Sequence, residues 1–322
     1  MRPLLVLLMM IVSAVTAAAA TELPSWNDGP VRTAILEYLA DVTDPGHADF
    51  IPVAERIAVL DNDGTFWCER PDYASTMFQR SLLMSRIDQG LADIDQPPFR
   101  AWYEYDRGAL RDFGWGEAYR RMNMAFAGMP VAAYRDSAAS WLDRHPHSDF
   151  KVRHTELYYV PMLELARLLE AREFQVWVVT GAAQDFVRSY IEQAAGIPPE
   201  RVIGSWTPAR SVIEGNTITV VRDSIQVGNG YEKKPANIET RIGRRPVFAA
   251  GNSNNDHPMC LYSITGQRRG LAIWIHHDDR KREYDYDRGT DRMQKLVKEL
   301  DGAHEVSIRR DWSRVFREGV ER

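Results

Sequence analysis

Two aspartates placed two residues apart are the first candidates for chemistry in this sequence. Asp61 and Asp63 belong to the segment Asp-Asn-Asp-Gly-Thr at residues 61–65, which follows an apolar run at residues 56–60. A short apolar run bounded by polar turn residues is typical of a buried strand, so both carboxylates are expected at the end of that strand. Carboxylates held this close together repel each other unless a cation joins them. The pattern therefore indicates a site that includes positive charge.

Two later clusters contain groups that can hold a phosphate. Thr180 and Gly181 follow the apolar run at residues 176–179. A hydroxyl together with free backbone N–H groups at such a point can bind phosphate oxygens. Lys233 and Lys234 precede a helix-like segment, and a lysine beside carboxylates can neutralise a phosphoryl group. Taken alone, the first cluster is also explained by a helix cap and the second by a surface lysine pair.

A fourth cluster, Gly-Asn-Ser-Asn-Asn-Asp at residues 251–256, follows the apolar run at residues 248–250. Side-chain oxygens in a loop after a buried strand suit a hard cation such as Mg²⁺, which takes few protein carboxylates and keeps several waters. An Asn-rich turn is the alternative explanation.

Alternating strands and helices are needed to bring these clusters together. Strand-like apolar runs occur at residues 56–60, 174–179, 246–250 and 271–275, with helix-like segments between them. This alternation predicts an α/β fold, a Rossmann-like, mostly parallel sheet with helices on both faces. Ligands of such sheets bind beyond the carboxyl ends of the strands, where the polar clusters fall.

The segment between the first two clusters differs in composition from the rest of the chain. Residues 66–149 are rich in Met, Arg and aromatic residues and lack clear β-branched runs. We predict an all-helical cap domain there, inserted into an α/β core made of residues 21–65 and 150–322.

The four clusters, in this order and with a helical insert after the first, resemble the haloacid dehalogenase-like hydrolase superfamily, and more closely its phosphoserine-phosphatase-like branch. The resemblance implies a Mg²⁺-dependent phosphatase that acts on a small phosphomonoester. Asp61 would be the nucleophile that becomes an aspartyl-phosphate, and Asp63 would protonate the leaving alcohol and then activate water. Thr180, Gly181 and Lys234 would hold the phosphoryl oxygens. Lys234 is preferred over its neighbour because it directly precedes the Pro and the helix.

The same resemblance implies a metal site. Mg²⁺ would be bound by Asp61, the backbone carbonyl of Asp63 and Asn252, with Asp256 acting through water. Many members of the superfamily carry Asp where this chain has Asn252. An amide oxygen can still bind Mg²⁺ but contributes no charge, so we expect weaker metal affinity.

Two groups of residues are candidates for contact with the substrate. One group follows Asp61 closely in sequence, and the other is a set of aromatic residues in the insert. Trp67, Glu69 and Arg70 are expected at the mouth of the site, and hinge packing with a solvated ion pair is the alternative. Clustered aromatic residues could bind a quaternary ammonium such as choline, and core packing is again the alternative. Phosphoserine, phosphocholine and broad specificity all remain open. The clustered aromatic residues are Trp102, Tyr103, Tyr105, Phe113, Trp115 and Tyr119.

Other functions are compatible with the same fold. A haloacid dehalogenase or a phosphotransferase would use the same nucleophile, and a catalytically silent binding protein would keep only the architecture. Asp63 favours phosphate ester hydrolysis, because a departing halide needs no proton. The presence of Asp61, Thr180 and Lys234 argues against a silent protein.

Composition and the N-terminus limit the partners and the compartment. The chain has 322 residues and a net charge of -5, which disfavours a nucleic-acid partner. Residues 1–20 combine a basic start, an apolar stretch and small residues up to Ala20. This pattern predicts a secretory signal peptide, and a retained anchor helix is the alternative. We therefore expect a secreted, periplasmic protein without a stable membrane anchor, whose partner is a small phosphorylated metabolite.

Cysteines and histidines add two minor possibilities. Cys68 and Cys260 could form a disulfide in an exported protein, and two buried free thiols are the alternative. The run at residues 276–279, His-His-Asp-Asp, could bind a second metal, but its position favours the exit from a strand into a loop. The sequence does not indicate the oligomeric state.

Overall fold

The structure is a computed structural model that describes residues 22–322, so the predicted signal peptide lies outside the described residues. Within those residues, none of the helices combines the length and the apolar character that crossing a bilayer requires. The centre of the fold is a seven-stranded sheet with helices on both faces. The predicted fold class is therefore confirmed.

Most strands of the sheet are parallel. Its seven strands are β1 (Ile57–Leu60), β2 (Gln175–Ala183), β3 (Val202–Ser205), β6 (Phe248–Gly251), β7 (Leu271–Asp278), β8 (Asp285–Tyr286) and β9 (Ala303–Ser307). Strands β4 (Ala209–Glu214) and β5 (Thr217–Arg222) form a separate two-stranded sheet. The parallel strands follow the order β3-β2-β1-β6-β7-β9, and β8 pairs antiparallel with the end of β7. Strand β1, which leads into Asp61, thus lies between β2 and β6.

Helices connect these strands. The α-helices are α1 (Pro30–Thr43), α2 (Ala74–Asp88), α3 (Phe99–Glu104), α4 (Arg107–Phe113), α5 (Trp115–Met122), α6 (Val131–Arg144), α7 (Val160–Ala171), α8 (Gln184–Arg188), α9 (Ile191–Ala195), α10 (Lys233–Ile242), α11 (His257–Ile264), α12 (Asp291–Glu299) and α13 (Ile308–Asp311). Short 3-10 helices lie at Val53–Glu55, Asn123–Phe126, His154–Glu156 and Pro199–Arg201.

The sheet is apolar on both faces. Every residue of β1 is buried, and successive side chains of a strand point to opposite faces. Ala58 and Leu60 therefore pack in one hydrophobic cluster, and Ile57 and Val59 pack in another. Burial on both faces explains why this strand is a continuous apolar run rather than an alternating one.

The segment between β1 and α7 is helical, as its composition predicts, and contains α2 to α6. Buried aromatic side chains of these helices, such as Phe78, Tyr134 and Trp141, belong to the same hydrophobic cluster as Ala58 and Leu60 of β1. The insert is thus packed onto one face of the sheet. Its boundaries as a separate cap domain at residues 66–149 stay a prediction.

The hairpin of β4 and β5 is a feature that the sequence analysis missed. Its strands pair antiparallel around a two-residue turn, in which Gly215 has a φ of 59°. Glycine takes up this left-handed conformation without the penalty other residues meet. Most hairpin residues are exposed, so they alternate polar and β-branched types instead of forming an apolar run. Arg222 anchors the hairpin, because its backbone oxygen accepts a hydrogen bond from the N–H of Gly128 in the insert at 2.9 Å.

Candidate active site

A cavity of about 400 Å³ lies at the carboxyl ends of the central strands. Asp61 follows β1, and its backbone N–H donates to the carbonyl of Ala250 in β6 at 2.9 Å. Neighbouring parallel strands end at the same edge, so residues distant in sequence share one cavity. The predicted site residues that line it are Asp61, Asp63, Glu69, Thr180, Gly181 and Asn252.

Of the two adjacent lysines, Lys234 is the one that contacts Asp61. Lys234 is fully buried at the start of α10, whereas Lys233 is exposed. Its Nζ donates to Asp61 Oδ1 at 2.7 Å, to Asp256 Oδ1 at 2.6 Å and to the carbonyl of Val179 at 2.8 Å. Burial alone would lower the pKa of Lys234, but the charges of Asp256 and Asp61 outweigh it and raise the pKa. The ammonium therefore stays charged beside the proposed nucleophile.

Asp256 organises the loop after β6. Besides Lys234, it accepts hydrogen bonds at Oδ2 from the backbone N–H groups of Asn252 and Ser253, both at 3.0 Å, and from Ser253 Oγ at 3.1 Å. Gly251 is required next to it, because a Cβ there would collide with the Asp256 side chain. These bonds fix the position of Asn252. The indirect metal contact of Asp256 stays a prediction.

The ionised state of Asp61 is unfavourable in this environment. Burial raises the pKa of Asp61 well above its ordinary value, the charge of Asp256 raises it further, and Lys234 only partly opposes this. More positive charge is needed to hold both carboxylates ionised. Asp61, the carbonyl of Asp63 and the Asn252 amide offer hard oxygen donors of the kind that Mg²⁺ takes. The predicted ligands therefore fit this ion chemically.

The ligand set is poor in carboxylates. Among residues 22–322, no three His, Cys, Asp or Glu side chains group together as a metal site. The predicted set of one carboxylate, one backbone carbonyl and one amide is not a group of that kind, and it stays a prediction. Asn252 Nδ2 is buried and has no hydrogen-bond partner among the described residues. An orphaned polar atom of this kind is costly unless a ligand changes its surroundings.

Asp63 is held in place by Trp67. The Trp67 Nε1–H donates to Asp63 Oδ1 at 2.8 Å, and the indole is stacked on Tyr190 with the ring centroids 4.9 Å apart. Burial raises the pKa of Asp63, although the hydrogen bond from Trp67 opposes this, and a raised pKa suits a proton donor. Trp67 is 1% exposed and is not one of the residues lining the cavity. The structure therefore favours the packing alternative for Trp67, which positions Asp63, and its substrate contact stays a prediction.

Thr180 and Gly181 lie inside β2, which continues to Ala183, whereas the predicted strand ends at residue 179. The pairing of β2 with β3 shifts register between Val179 and Ala183, and this bulge keeps the chain extended past Gly181. Thr180 Oγ1 accepts the N–H of Ala182 at 3.0 Å and lies 3.5 Å from Asp63 Oδ2. Both residues still line the cavity, and their phosphate contacts stay a prediction.

Glu69 and Arg70 differ in position. Glu69 lines the cavity while being only 6% exposed, and burial raises the pKa of its carboxyl to about 7. Arg70 does not line the cavity, and its guanidinium lies 4.2 Å from the ring centroid of Tyr286. The two charges are 3.7 Å apart. Arg70 therefore follows the packing alternative and forms the ion pair from outside the cavity, whereas Glu69 lines the cavity.

Most of the six candidate aromatic residues of the insert lie away from the cavity. Of the six candidates, Tyr119 alone lines it, and its hydroxyl lies 3.0 Å from Ser75 Oγ. Trp102 is fully buried and donates from Nε1 to the carbonyl of Ala118 at 2.9 Å. Packing therefore explains most of this cluster, and Tyr119 is its one member at the cavity.

The mouth of the cavity contains residues that the sequence analysis missed. Tyr73, Thr76, Tyr231 and Arg288 line it together with the loop after β6. Tyr231 has a φ of 53°, which is uncommon for a residue with a side chain, and its N–H donates to Asn255 Oδ1 at 2.8 Å. Tyr73, Tyr231 and Arg288 are exposed residues outside helices and strands, where side chains follow no hydrophobic period, so no sequence pattern indicates them.

The buried side chain of His277 contacts the loop that contains Asp61 and Asp63. The ring lies within hydrogen-bond distance of two acceptors, with Nε2 2.7 Å from the carbonyl of Gly64 and Nδ1 3.0 Å from Glu283 Oε2. Two acceptors require two ring protons, so His277 is an imidazolium. The sequence analysis considered the histidines at the end of β7 only as metal ligands or a strand exit, and missed this contact.

The protonation states of this buried pair support each other. Burial alone would lower the pKa of His277, but the charge of Glu283 outweighs it and raises the pKa. Burial alone would raise the pKa of Glu283, but His277 outweighs it and lowers the pKa. Tyr159 Oη donates to Glu283 at 2.9 Å and Cys68 Sγ donates at 3.3 Å.

Replacing His277 by glutamine should destabilise the protein by about 3–5 kcal/mol, because it leaves a buried carboxylate without its counterion. Because the pKa of Glu283 is lowered on folding, its contribution to the free energy of unfolding is present above pH 4.5 and is lost as the pH falls. The contribution of His277 is full below pH 6.5 and is lost as the pH rises through its raised pKa. Urea unfolding at a series of pH values should therefore show the largest loss between these limits.

His276→Gln provides the matched control. His276 is the preceding residue of β7, but it is partly exposed, between Glu305 and Asp287, each at 2.8 Å. Exposed ion pairs contribute about 0–1 kcal/mol, so this variant should be near wild type. Equal losses in the two variants, or a loss in His277→Gln that does not change with pH, would refute the buried ion pair.

Both cysteines are free and buried. Cys260 belongs to α11, and Cys68 lies shortly after Asp61 and Asp63, beside Glu283. Of the two possibilities left open by the sequence, the structure has the pair of buried thiols.

Comparison with known proteins identifies relatives at the level of family and fold. The profile of the haloacid dehalogenase-like hydrolases matches residues 58–260. No curated protein matches the sequence. Among solved structures, a conserved functionally unknown protein from Anaerococcus prevotii is 13% identical with a TM-score of 0.54, and the match covers 91% of this chain and 97% of that one. This similarity shows a shared fold.

Two weaker structural matches have names that include an activity. Cytosolic 5'-nucleotidase IIIB bound to cytidine is 12% identical with a TM-score of 0.46, covering 86% of this chain and 85% of that one. A phosphoserine phosphohydrolase-like protein from Francisella tularensis is 12% identical with a TM-score of 0.37, covering 75% and 99%.

Proposed function

Because this chain belongs to the haloacid dehalogenase-like hydrolase family, we propose that it is an exported, Mg²⁺-dependent phosphatase that hydrolyses a small phosphomonoester through an aspartyl-phosphate. The observation that carries the proposal is the 2.7 Å contact between Lys234 Nζ and Asp61 Oδ1, in a cavity also lined by Asp63 and Thr180. A buried carboxylate held by an ammonium beside a second, raised-pKa carboxyl suits covalent catalysis followed by proton transfer.

The proposed reaction has two steps. A carboxylate oxygen of Asp61 attacks phosphorus, the bond from phosphorus to the leaving oxygen breaks, and Asp63 gives its proton to that oxygen. Asp63, now ionised, removes a proton from the water that attacks phosphorus, which releases phosphate and restores Asp61. Thr180 Oγ1 and the backbone of Gly181 orient the phosphoryl oxygens. Lys234 restrains the nucleophile and offsets negative charge.

Metal binding belongs to the same proposal. Asp61, the carbonyl of Asp63 and Asn252 would hold Mg²⁺, with Asp256 acting through water. When bound, the ion supplies positive charge against the phosphoryl oxygens. Positioning and charge neutralisation are the main requirements of phosphoryl transfer.

The direct test of the reaction class is turnover of p-nitrophenyl phosphate by the mature protein, with and without EDTA. We expect phosphate release that EDTA abolishes and Mg²⁺ restores. Halide release from a haloacid without phosphate release would instead favour the dehalogenase alternative. Transfer to an added alcohol in place of water would favour a phosphotransferase, and neither activity would favour a binding protein.

The leaving alcohol is proposed to be polar, because Tyr73, Thr76, Tyr119, Tyr231 and Arg288 line the outer part of the cavity. Phosphoserine suits these hydroxyl and guanidinium groups, whereas the quaternary ammonium of phosphocholine has no N–H to donate to them. A panel of phosphate esters, compared by kcat/KM, tests this preference. A higher value for phosphocholine than for phosphoserine would contradict it.

Asn252→Asp should tighten Mg²⁺ activation by about tenfold, because it adds a negative charge to the ligand set. The measurement is the Mg²⁺ concentration that gives half-maximal phosphatase activity. An unchanged Mg²⁺ titration would remove Asn252 from the proposed ligands.

A further inference from the structure

Two side chains meet on the same side of Gly64, directly after Asp63. A Cβ at Gly64 would collide with Asn252 Nδ2 and would lie 3.0 Å from Glu69 Cδ. Gly64 has a φ of 76°, so both the backbone conformation and the space favour glycine. The Glu69 carboxyl and the Asn252 amide are therefore brought together beside the predicted metal ligands.

Both side chains are nearly removed from solvent but face the cavity. Glu69 is 6% exposed and Asn252 is 2% exposed, and both line the cavity with Asp61 and Asp63. Asn252 Nδ2 has no hydrogen-bond partner among residues 22–322. A buried carboxylate and an orphaned amide in one cavity are costly together unless a ligand lies between them or beside them.

Glu69 is only weakly paired on the protein side, where the positive charges that act on it are those of Arg70 and His277. Its ion pair with Arg70 is 3.7 Å long, and the Arg70 guanidinium is placed over the ring of Tyr286. Lys234 is committed to Asp61 and Asp256. The charge of Glu69 is thus available to a cation in the cavity.

The predicted ligand set needs such a charge. Of its direct members, Asp61 alone carries a negative charge, since Asp63 offers its backbone carbonyl and Asn252 an amide. One negative charge is little for a divalent ion that prefers carboxylate oxygens. Mg²⁺ also keeps several waters, and these can hydrogen-bond to a nearby carboxylate.

We propose that Glu69 completes the divalent-cation site, supplying through a metal-bound water the negative charge that Asn252 does not provide. This assignment rests on the proposed function for the presence of Mg²⁺. It makes Glu69 a positioning residue of the metal rather than a contact for the leaving alcohol.

The test measures Mg²⁺ binding to the mature protein by isothermal titration calorimetry, without substrate. Glu69→Gln should weaken the Mg²⁺ Kd by about 10–100-fold, the usual effect of removing a group that acts through a metal ligand. Asn252→Asp should tighten it, and the double variant Glu69→Gln with Asn252→Asp should return to within about threefold of wild type, since one charge replaces the other.

Asp72→Asn is the matched control. Asp72 lies three residues after Glu69, does not line the cavity and accepts a hydrogen bond from Tyr105 Oη at 3.0 Å. Its variant removes the same charge and should leave the Mg²⁺ Kd within about twofold of wild type. Far-UV circular dichroism of each variant checks that the fold is kept, and Asn252→Asp alone tests the charge argument if Glu69→Gln does not fold.

Several results would overturn the proposal. These are an unchanged Kd in Glu69→Gln, no recovery in the double variant, no tightening in Asn252→Asp, or no Mg²⁺ binding to the wild type. A Glu69→Gln effect confined to KM for amine-bearing esters would assign Glu69 to the substrate. If the Kd values follow the predicted pattern but no phosphate is released, Glu69 is part of the metal site and the protein is not a phosphatase. If phosphate is released but Glu69→Gln leaves the Kd unchanged, the protein is a phosphatase and Glu69 is not part of its metal site.

Discussion

Asp61→Asn is expected to lower phosphatase kcat by about 10⁴-fold or more, because an amide cannot attack phosphorus in place of the carboxylate. The variant keeps the shape of the side chain and an oxygen that can accept the hydrogen bond from Lys234, which is 2.7 Å from Asp61 Oδ1. Steady-state turnover of p-nitrophenyl phosphate at saturating Mg²⁺ measures the loss.

The same variant should fold as well as the wild type. The pKa of Asp61 is raised by burial and by Asp256, so its ionised form is disfavoured in the folded state. Replacing it with a neutral amide relieves this cost, and we expect a melting temperature within about 4 °C of wild type or above it. Activity above about 1% of wild type in a folded Asp61→Asn protein would place the nucleophile elsewhere.

Lys234→Met should have the second large effect, on stability as well as on activity. The substitution leaves Asp61 and Asp256 buried without the ammonium that lies 2.7 and 2.6 Å from them. Removing one partner of a buried ion pair costs about 3–5 kcal/mol, and kcat should fall by about 10³-fold. Urea unfolding and steady-state kinetics measure the two effects.

The pH dependence gives this variant a distinctive signature. Both carboxylates have lost their counterion, so protonating them relieves the penalty. The pKa of Asp61 is already raised in the wild type, and the loss of stability should therefore grow as the pH rises and shrink as it falls. A loss of stability that is constant with pH would contradict the ion-pair explanation.

Lys233→Met is the matched control for this prediction. Lys233 is the adjacent residue of α10, carries the same charge and is exposed. Its substitution should change the free energy of unfolding by less than about 0.5 kcal/mol and leave kcat unchanged. A larger effect from Lys233 than from Lys234 would reverse the assignment of the active-site lysine.

The cavity residues that follow the central strands could be predicted, because the ends of buried strands can be located from the sequence. The apolar run before Asp61 and the run before Asn252 form β1 and β6, which pair directly in the sheet. Parallel neighbours end at one edge, so polar clusters after such runs must meet. The strand that contains Thr180 is the other neighbour of β1. This argument needs only periodicity and topology.

Side-chain direction could not be predicted in the same way. Adjacent helix residues point about 100° apart, so Lys233 and Lys234 face different directions. The spacing alone does not say which of the two faces the cavity. Trp67 follows the nucleophile closely enough to be expected in the cavity, yet it stacks on Tyr190 and is buried behind Asp63. Packing in three dimensions decides both cases.

Long-range supports of the site were also outside the reach of sequence patterns. His277 and Gly64 are 213 positions apart, and their hydrogen bond depends on where β7 ends relative to β1. Glu69 is near Gly64 in sequence, but its proximity to Asn252 follows from the pairing of β1 with β6. Such contacts arise from sheet register, which one sequence does not specify.

Acid quenching during turnover, followed by mass spectrometry of the peptide that contains Asp61, tests the central claim most directly. The account predicts that this peptide gains the mass of one phosphoryl group, that the group is on Asp61, and that Asp61→Asn shows none. A phosphoryl group on another residue, or no modified peptide despite rapid turnover, would contradict the account.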